Sequence, residues 1–182
     1  MDNERRIILT SKKTTKCIEK PEKTPKNRVI TQEKRWVLQS EDYNPAIQWD
    51  CLFVTNNENH TPHQERICIL AKQQMMSKIS GYRCQDIKNG MVQSYDFVDL
   101  ESVMSLLKES EMKCFYCKEM VKVLYEHVRE PCQWTLDRIN NDVGHTKTNV
   151  MIACLNCNLR RRCMYHERYL FTKQLVIVKK DI

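Results

Sequence analysis

The chain has 182 residues, 41% of them hydrophobic and 29% charged, with 30 Lys and Arg against 23 Asp and Glu for a net charge of +7. That length holds one compact domain with an appendage, or two small ones, and 3 Gly with 5 Pro exclude collagen-like and linker-like chains. No apolar run approaches the ~18 residues of a membrane-spanning helix, and the opening MDNERRIILTSKKTTK lacks the apolar core of a signal peptide. The expectation is an intracellular protein, in the cytoplasm or nucleus, that is neither secreted nor partnered with a membrane.

The charge is uneven along the chain. Residues 1–40 carry 11 basic and 5 acidic side chains, 41–111 carry 6 and 11, and 112–182 carry 13 and 7, for net charges of +6, −5 and +6. Basic segments attract phosphate through counterion release, so nucleic acid is the leading partner class. A solvated charged surface is the plainer alternative, and the acidic 41–111 segment offers a docking surface for a protein partner.

In chain order, residues 1–40 (with KKTTKCIEKPEKTPKNR) hold too little apolar content to offset the entropy of ordering them. They read as a basic flexible arm, with a short strand at 35–38. The next segment, 41–111, reads as a small helical region. Its first helix has Thr61 as N-cap, Pro62 at the first helical position, Gln64 completing a capping box and Gly81 as the stop. Ile67, Leu70, Ala71 and Met75 lie at helical spacing and read as a core-facing stripe. A second helix spans about 100–110, with Asp99 as N-cap and Leu100, Val103, Met104 and Leu107 on one face.

Ten cysteines in a reducing compartment point to metal before disulfides. Cys114-x-x-Cys117 and Cys154-x-x-Cys157 supply four thiolates, the ligand set that closes a tetrahedral Zn²⁺ shell. Such a shell has no open position for substrate, so this zinc would be structural. Lys113, Lys118, Arg160 and Arg161 nearby favour the thiolate form. Two unrelated buried or redox pairs are the alternative. Cys17, Cys51, Cys68, Cys84, Cys132 and Cys163 show no such pairing, and most of them read as small apolar fillers.

Between the pairs, 120–130 has enough β-branched and aromatic residues for a strand ended by Pro131. A second strand follows at 133–139, then a polar loop at 140–145, a third strand at 149–153, and a basic helix from Leu155 to about Phe171 carrying Arg160, Arg161 and Arg162. Trp134 reads as core. The fold class expected is α+β, stapled by zinc.

The stretch C-F-Y-C, followed by L-D-R-I-N-N-D-V-G-H-T-K-T-N-V-M-I-A-C-L-N-C-N, resembles the HNH endonucleases, the zinc-knuckle branch of the ββα-metal (His-Me finger) fold. The resemblance covers about residues 112–170, so 112–182 is expected to be an HNH-like zinc domain. The wording WTLDRINNDVGHTKTNV is also similar to HNH-type proteins of large DNA viruses and phages, a resemblance that adds the virion to the cytoplasm or nucleus of a host cell as an expected location. The resemblance implies a DNA endonuclease acting on double-stranded DNA with one catalytic divalent ion, Mg²⁺ or Mn²⁺, held by Asp137 and Asn158. It implies that Asn149 positions the general base or its loop, and that Arg160, Arg161 and Arg162, with Lys147 and Arg138, meet nucleic-acid phosphate.

One departure bears on catalysis. Where the family has its water-activating His, this sequence has Arg138, which cannot accept a proton. His145 in the loop is the favoured substitute base, with His127 second. The alternative is a non-catalytic zinc module of a transcription or replication accessory protein, in which Arg138 binds phosphate. Asp137 has a plainer reading as a carboxylate paired with Arg138 or Lys147. Asn158 has one as a helix cap or a partner to a cysteine sulfur.

Overall fold

The computed structural model describes residues 5–10, 24–33, 36–54, 60–91 and 96–180. It is a mixed helix and sheet structure. The elements are β1 (Arg5–Thr10), 3-10 turns at Val29–Gln32 and Ser40–Tyr43, α1 (Pro45–Trp49) with a π turn at Asp50–Val54, α2 (Pro62–Lys88) and α3 (Leu100–Glu109). They continue with β2 (Trp134–Arg138), β3 (Val150–Cys154), α4 (Leu155–Arg161), α5 (His166–Lys173) and β4 (Leu175–Lys180). β2 and β3 pair antiparallel with Trp134 opposite Cys154 and Arg138 opposite Val150. β1 and β4 form a separate parallel pair.

α2 starts as its sequence demands. The Thr61 hydroxyl accepts the Gln64 N–H at 3.3 Å, and the Gln64 amide oxygen accepts the Thr61 N–H at 2.9 Å. Ile67, Leu70, Ala71 and Met75 are all buried. Gly81 does not end the helix, which runs on to Lys88. A single glycine costs a helix only about 1 kcal/mol, and the residues beyond it have tertiary partners, described below. The glycine in the left-handed conformation that favours a chain reversal is Gly90, at φ +68.

No strand forms over 120–130. Its backbone groups are taken one at a time: the Val121 N–H by the Met112 carbonyl at 2.7 Å, and the Lys122 N–H by that of Cys132 at 2.9 Å. The side-chain oxygen of the fully buried Gln48 accepts both the Val123 and Leu124 N–H groups, at 2.8 and 3.0 Å. Val121, Val123, Leu124 and Tyr125 are consequently all buried, without the alternation that a half-buried strand requires.

The basic helix expected over 155–171 is also two helices. Arg162 breaks it with φ +53 and ψ −121, a conformation costly for a residue with a side chain. In the expected arm, 5–10 is strand and Arg28 is docked, its guanidinium 4.2 Å from the Tyr125 ring centre and donating to Gln74 at 2.9 Å. Residues 36–38 are not strand, and Trp36 is buried instead; position 35 lies outside the described residues.

One apolar cluster joins α2 and α3 to the later chain. It includes Ile67, Met75, Val103, Leu107, Val123, Trp134, Leu136 and Ile152. Lys78 of α2 reaches across it, donating to the Gln133 side chain at 3.0 Å and to the Trp134 carbonyl. Cys51 and Cys68 are buried, Cys84 and Cys163 are exposed, and Cys17 lies outside the described residues.

Candidate metal centre and adjoining polar cleft

The two cysteine pairs come together. In the first, the Lys118 N–H returns to the Cys114 carbonyl at 3.0 Å with Lys118 at φ +63, which closes a tight turn around Cys117. In the second, Cys154 ends β3 and caps α4, its sulfur accepting the Cys157 N–H at 3.4 Å. A hydrogen bond from the Phe115 N–H to the Ile152 carbonyl, 2.8 Å, ties the first turn to β3.

The four sulfurs lie within 4.8 Å of one another. Those of Cys117 and Cys154 are 3.8 Å apart, and tetrahedral metal–sulfur bonds of about 2.3 Å would set sulfurs roughly 3.8 Å apart. Burial, together with the neighbouring Cys114, pushes the Cys157 thiol up to about 11. A cation among the four would relieve that crowding of negative charge. The cluster is therefore fit for a metal ion with a closed shell.

Beyond this centre, β2, its following loop and α4 wall a polar cavity of about 120 Å³ together with the C-terminal half of α2. Asn149 shapes the loop. Its amide nitrogen donates to the carbonyls of Asn140, Val143 and Gly144 at 3.0 to 3.1 Å, and its oxygen accepts the Asn140 N–H at 2.9 Å. Its side chain is thus spent on positioning the loop that carries His145.

His145 lines the cavity and is held from α2. One oxygen of the buried Asp86 accepts the His145 backbone N–H at 2.6 Å, and the other meets ring Nδ1 at 2.8 Å. Tyr82 stacks against the imidazole with ring centres 4.5 Å apart, while its hydroxyl accepts the Leu136 N–H at 3.0 Å. With Nδ1–H given to the carboxylate, Nε2 is the ring nitrogen that can accept a proton. Burial lowers the imidazole's pKa below its ordinary value, against the opposing pull of Asp86, which keeps the ring neutral near pH 7.

Asp137 also lines the cleft, but with its carboxylate already engaged. One of its oxygens accepts from the Tyr116 hydroxyl at 2.6 Å and the other from the Arg161 guanidinium at 2.6 Å. Arg161 also donates to the carbonyls of Arg138 and Ile139, at 2.7 and 3.1 Å. Its residue exposure is 1%. The expectation that Arg161 meets nucleic-acid phosphate is thereby corrected: it is a buried counter-ion that locks α4 to β2. The plainer pairing of Asp137 with Arg138 or Lys147 gives way to this one.

A Mg²⁺-like ion wants several oxygen ligands and keeps several waters. Both oxygens of Asp137 are engaged by donors and its charge is met by Arg161. Asn158 gives its amide nitrogen to the Thr135 hydroxyl at 3.0 Å, leaving its carbonyl oxygen. Among the described residues the four cysteines are the single group of three or more His, Cys, Asp or Glu placed to hold a metal. In this arrangement Asp137 already has its charge neutralised and both oxygens bonded, so with Asn158 it does not present a ready-made divalent-ion site.

Of the remaining expected residues, Arg138 and Arg162 line the cavity with Asn158. Arg138 is anchored on the Met91 sulfur at 2.9 Å, and Arg160 is exposed on α4. Lys147 is outside the cavity lining, paired at 2.6 Å with Asp99, the N-cap of α3. His127 is also outside it and binds Asn27 at 3.0 Å. Asp86 and Tyr82 are not singled out by any sequence motif. The one local sign is a carboxylate in the last turns of a helix, against the macrodipole.

No helix among the described residues is long and apolar enough to cross a membrane. Compared with protein-family models, with curated proteins and with solved structures, the chain matches none.

Proposed function

We propose that the chain is an HNH-like, zinc-stapled nucleic-acid-binding protein that cleaves phosphodiester bonds, with His145 as its general base. Zn²⁺ on Cys114, Cys117, Cys154 and Cys157 holds β3 and α4 to the first cysteine turn. The observation that carries the reading is the Asp86–His145 pair at the wall of a cleft that also presents two arginines. A neutral imidazole with one nitrogen fixed by a carboxylate is the arrangement that takes a proton from an attacking hydroxyl. Arg138 and Arg162 beside it offer fixed positive charge to phosphate oxygens. Asn149 acts by holding the loop and Arg160 by adding exposed positive charge on α4.

The purified metal-loaded protein, incubated with plasmid DNA and with an RNA transcript, should cut one of them. His145→Ala should reduce cutting by about 100- to 10,000-fold. Retention of nucleic acid should fall steeply with salt, and further in Arg162→Ala. The second reading, a binding module without catalysis, draws on Arg138 at the position where the resemblance puts a His. Salt-sensitive binding with no scission of either polymer would establish it and refute the first.

A further inference from the structure

We infer that the cleft acts on RNA without a divalent ion, the RNA's own 2′-hydroxyl being the nucleophile. This rests on the reading of His145 as the base. It starts from the place where a catalytic ion was expected and a guanidinium is found. Arg161 is fully buried and makes hydrogen bonds to Asp137, Arg138 and Ile139. An ion arriving at Asp137 would have to displace it, stranding a buried guanidinium that has no other carboxylate among its partners. The positive charge at Asp137 is thus built into the chain.

What the cleft then offers is a base, two arginines, the Asp137 carboxylate with its charge already met by Arg161, and a polar space of about 120 Å³, room for a phosphate group and a few waters but not for a base pair. In an ion-dependent DNA hydrolysis, metal does two jobs: it orients the attacking water and it stabilises the leaving oxygen. RNA removes the first need, since its 2′-hydroxyl is already tethered beside the phosphorus, an advantage that reaches effective concentrations of about 10⁵–10⁸ M in well-oriented systems. The second is met by protonation of the leaving oxygen from water, while Arg138 and Arg162 take up charge on the non-bridging phosphorane oxygens.

The step balances without a further reactant except water. The 2′-oxygen forms a bond to phosphorus as the bond from phosphorus to the 5′-oxygen breaks. The 2′-proton passes to Nε2 of His145, and the departing 5′-oxygen takes a proton from water at the cleft's exposed rim, where Arg162 and Gln85 lie. The protonated imidazole returns its proton to the hydroxide so formed. The products are a 2′,3′-cyclic phosphate and a 5′-hydroxyl end.

The test uses the full chain with its cysteine-bound metal in place, in buffer freed of Mg²⁺ and Mn²⁺. Its substrates are a single-stranded RNA, the same RNA with one 2′-deoxy position at the cut, and the matching DNA. The expected result is cleavage of the RNA to cyclic-phosphate ends, blocked at the 2′-deoxy position and unchanged when Mg²⁺ is added. Cleavage only with Mg²⁺ or Mn²⁺, cleavage of the DNA, or 5′-phosphate ends would overturn the inference while leaving His145 as base if His145→Ala still abolishes cutting. No cleavage of either polymer would overturn both. Electron paramagnetic resonance with Mn²⁺ gives a reading independent of activity: wild type should leave the ion free, and stoichiometric binding lost in Asp137→Asn would refute the inference.

Discussion

Beneath His145 there is no spare volume. A Cβ added at Gly144 would sit 2.8 Å from an Asp86 carboxylate oxygen and 2.8 Å from the Met91 carbonyl, and the second of these is backbone. Gly144→Ala should therefore lower stability by about 1–3 kcal/mol, as overpacking does, and should loosen the Asp86–His145 contact. Urea denaturation checks the first. The second appears as a histidine NMR titration drifting toward the free imidazole value. The wild-type imidazole also sets a pH dependence. Its folded pKa lies below the unfolded one because burial disfavours the charged ring, so the unfolded chain binds more protons as pH falls below about 6.5. This residue's contribution to stability should be fully present above that pH and lost on acidification. Denaturation midpoints of wild type and His145→Gln should therefore converge as pH drops from 7 toward 5; parallel curves would contradict the assignment.

The two glycines of the α2 region act with opposite sign. Gly81 lies in the helix interior, where an added Cβ would meet nothing within 4 Å, whereas Gly90 sits at φ +68. Gly81→Ala should stabilise by about 0.5–1 kcal/mol, from helix propensity and reduced freedom of the unfolded chain. Gly90→Ala should destabilise by about 1 kcal/mol or more, because an L-residue is strained there. Thermal melts of the two variants separate these outcomes, and a destabilised Gly81→Ala would show that the glycine has a packing role. The same pair explains what was legible in the sequence. Thr61, Pro62 and Gln64 mark a helix start through contacts three residues apart, so the start was readable. The stop was not, because Tyr82 and Asp86 find their partners at Leu136 and His145, more than 50 residues away. The cysteine pairs were legible because metal geometry fixes local spacing. Arg161 was not, since a helix arginine reads as solvent-facing until its carboxylate is located on another element. The 120–130 segment failed for a related reason: its strand-like composition was overridden by Gln48, a side chain 75 residues earlier that takes its N–H groups.

At the scale of the molecule, the segment before residue 111 and the segment after it are not independent. Gln48 bonds to the backbone of Val123 and Leu124, Lys78 to Trp134, Tyr82 to Leu136 and Asp86 to His145. All four ties are buried or half-buried, and they converge on β2 and the chain on either side of it. The register of β2 against β3 ends at Trp134 opposite Cys154, a residue of the sulfur cluster. With a metal held by the four cysteines, its loss would release β3 and α4 from the first cysteine turn, which would free β2 and then the partners of α2. Chelation should consequently give one cooperative loss of structure, read by circular dichroism and by tryptophan fluorescence together, rather than a partial loss confined to 112–182. Cys154→Ser should reproduce it, while Cys163→Ser, altering an exposed cysteine outside the cluster, should leave the melt within about 0.5 kcal/mol of wild type. A biphasic transition after chelation, with α2 persisting in the second phase, would mean that the ties from α2 are too weak to couple the halves.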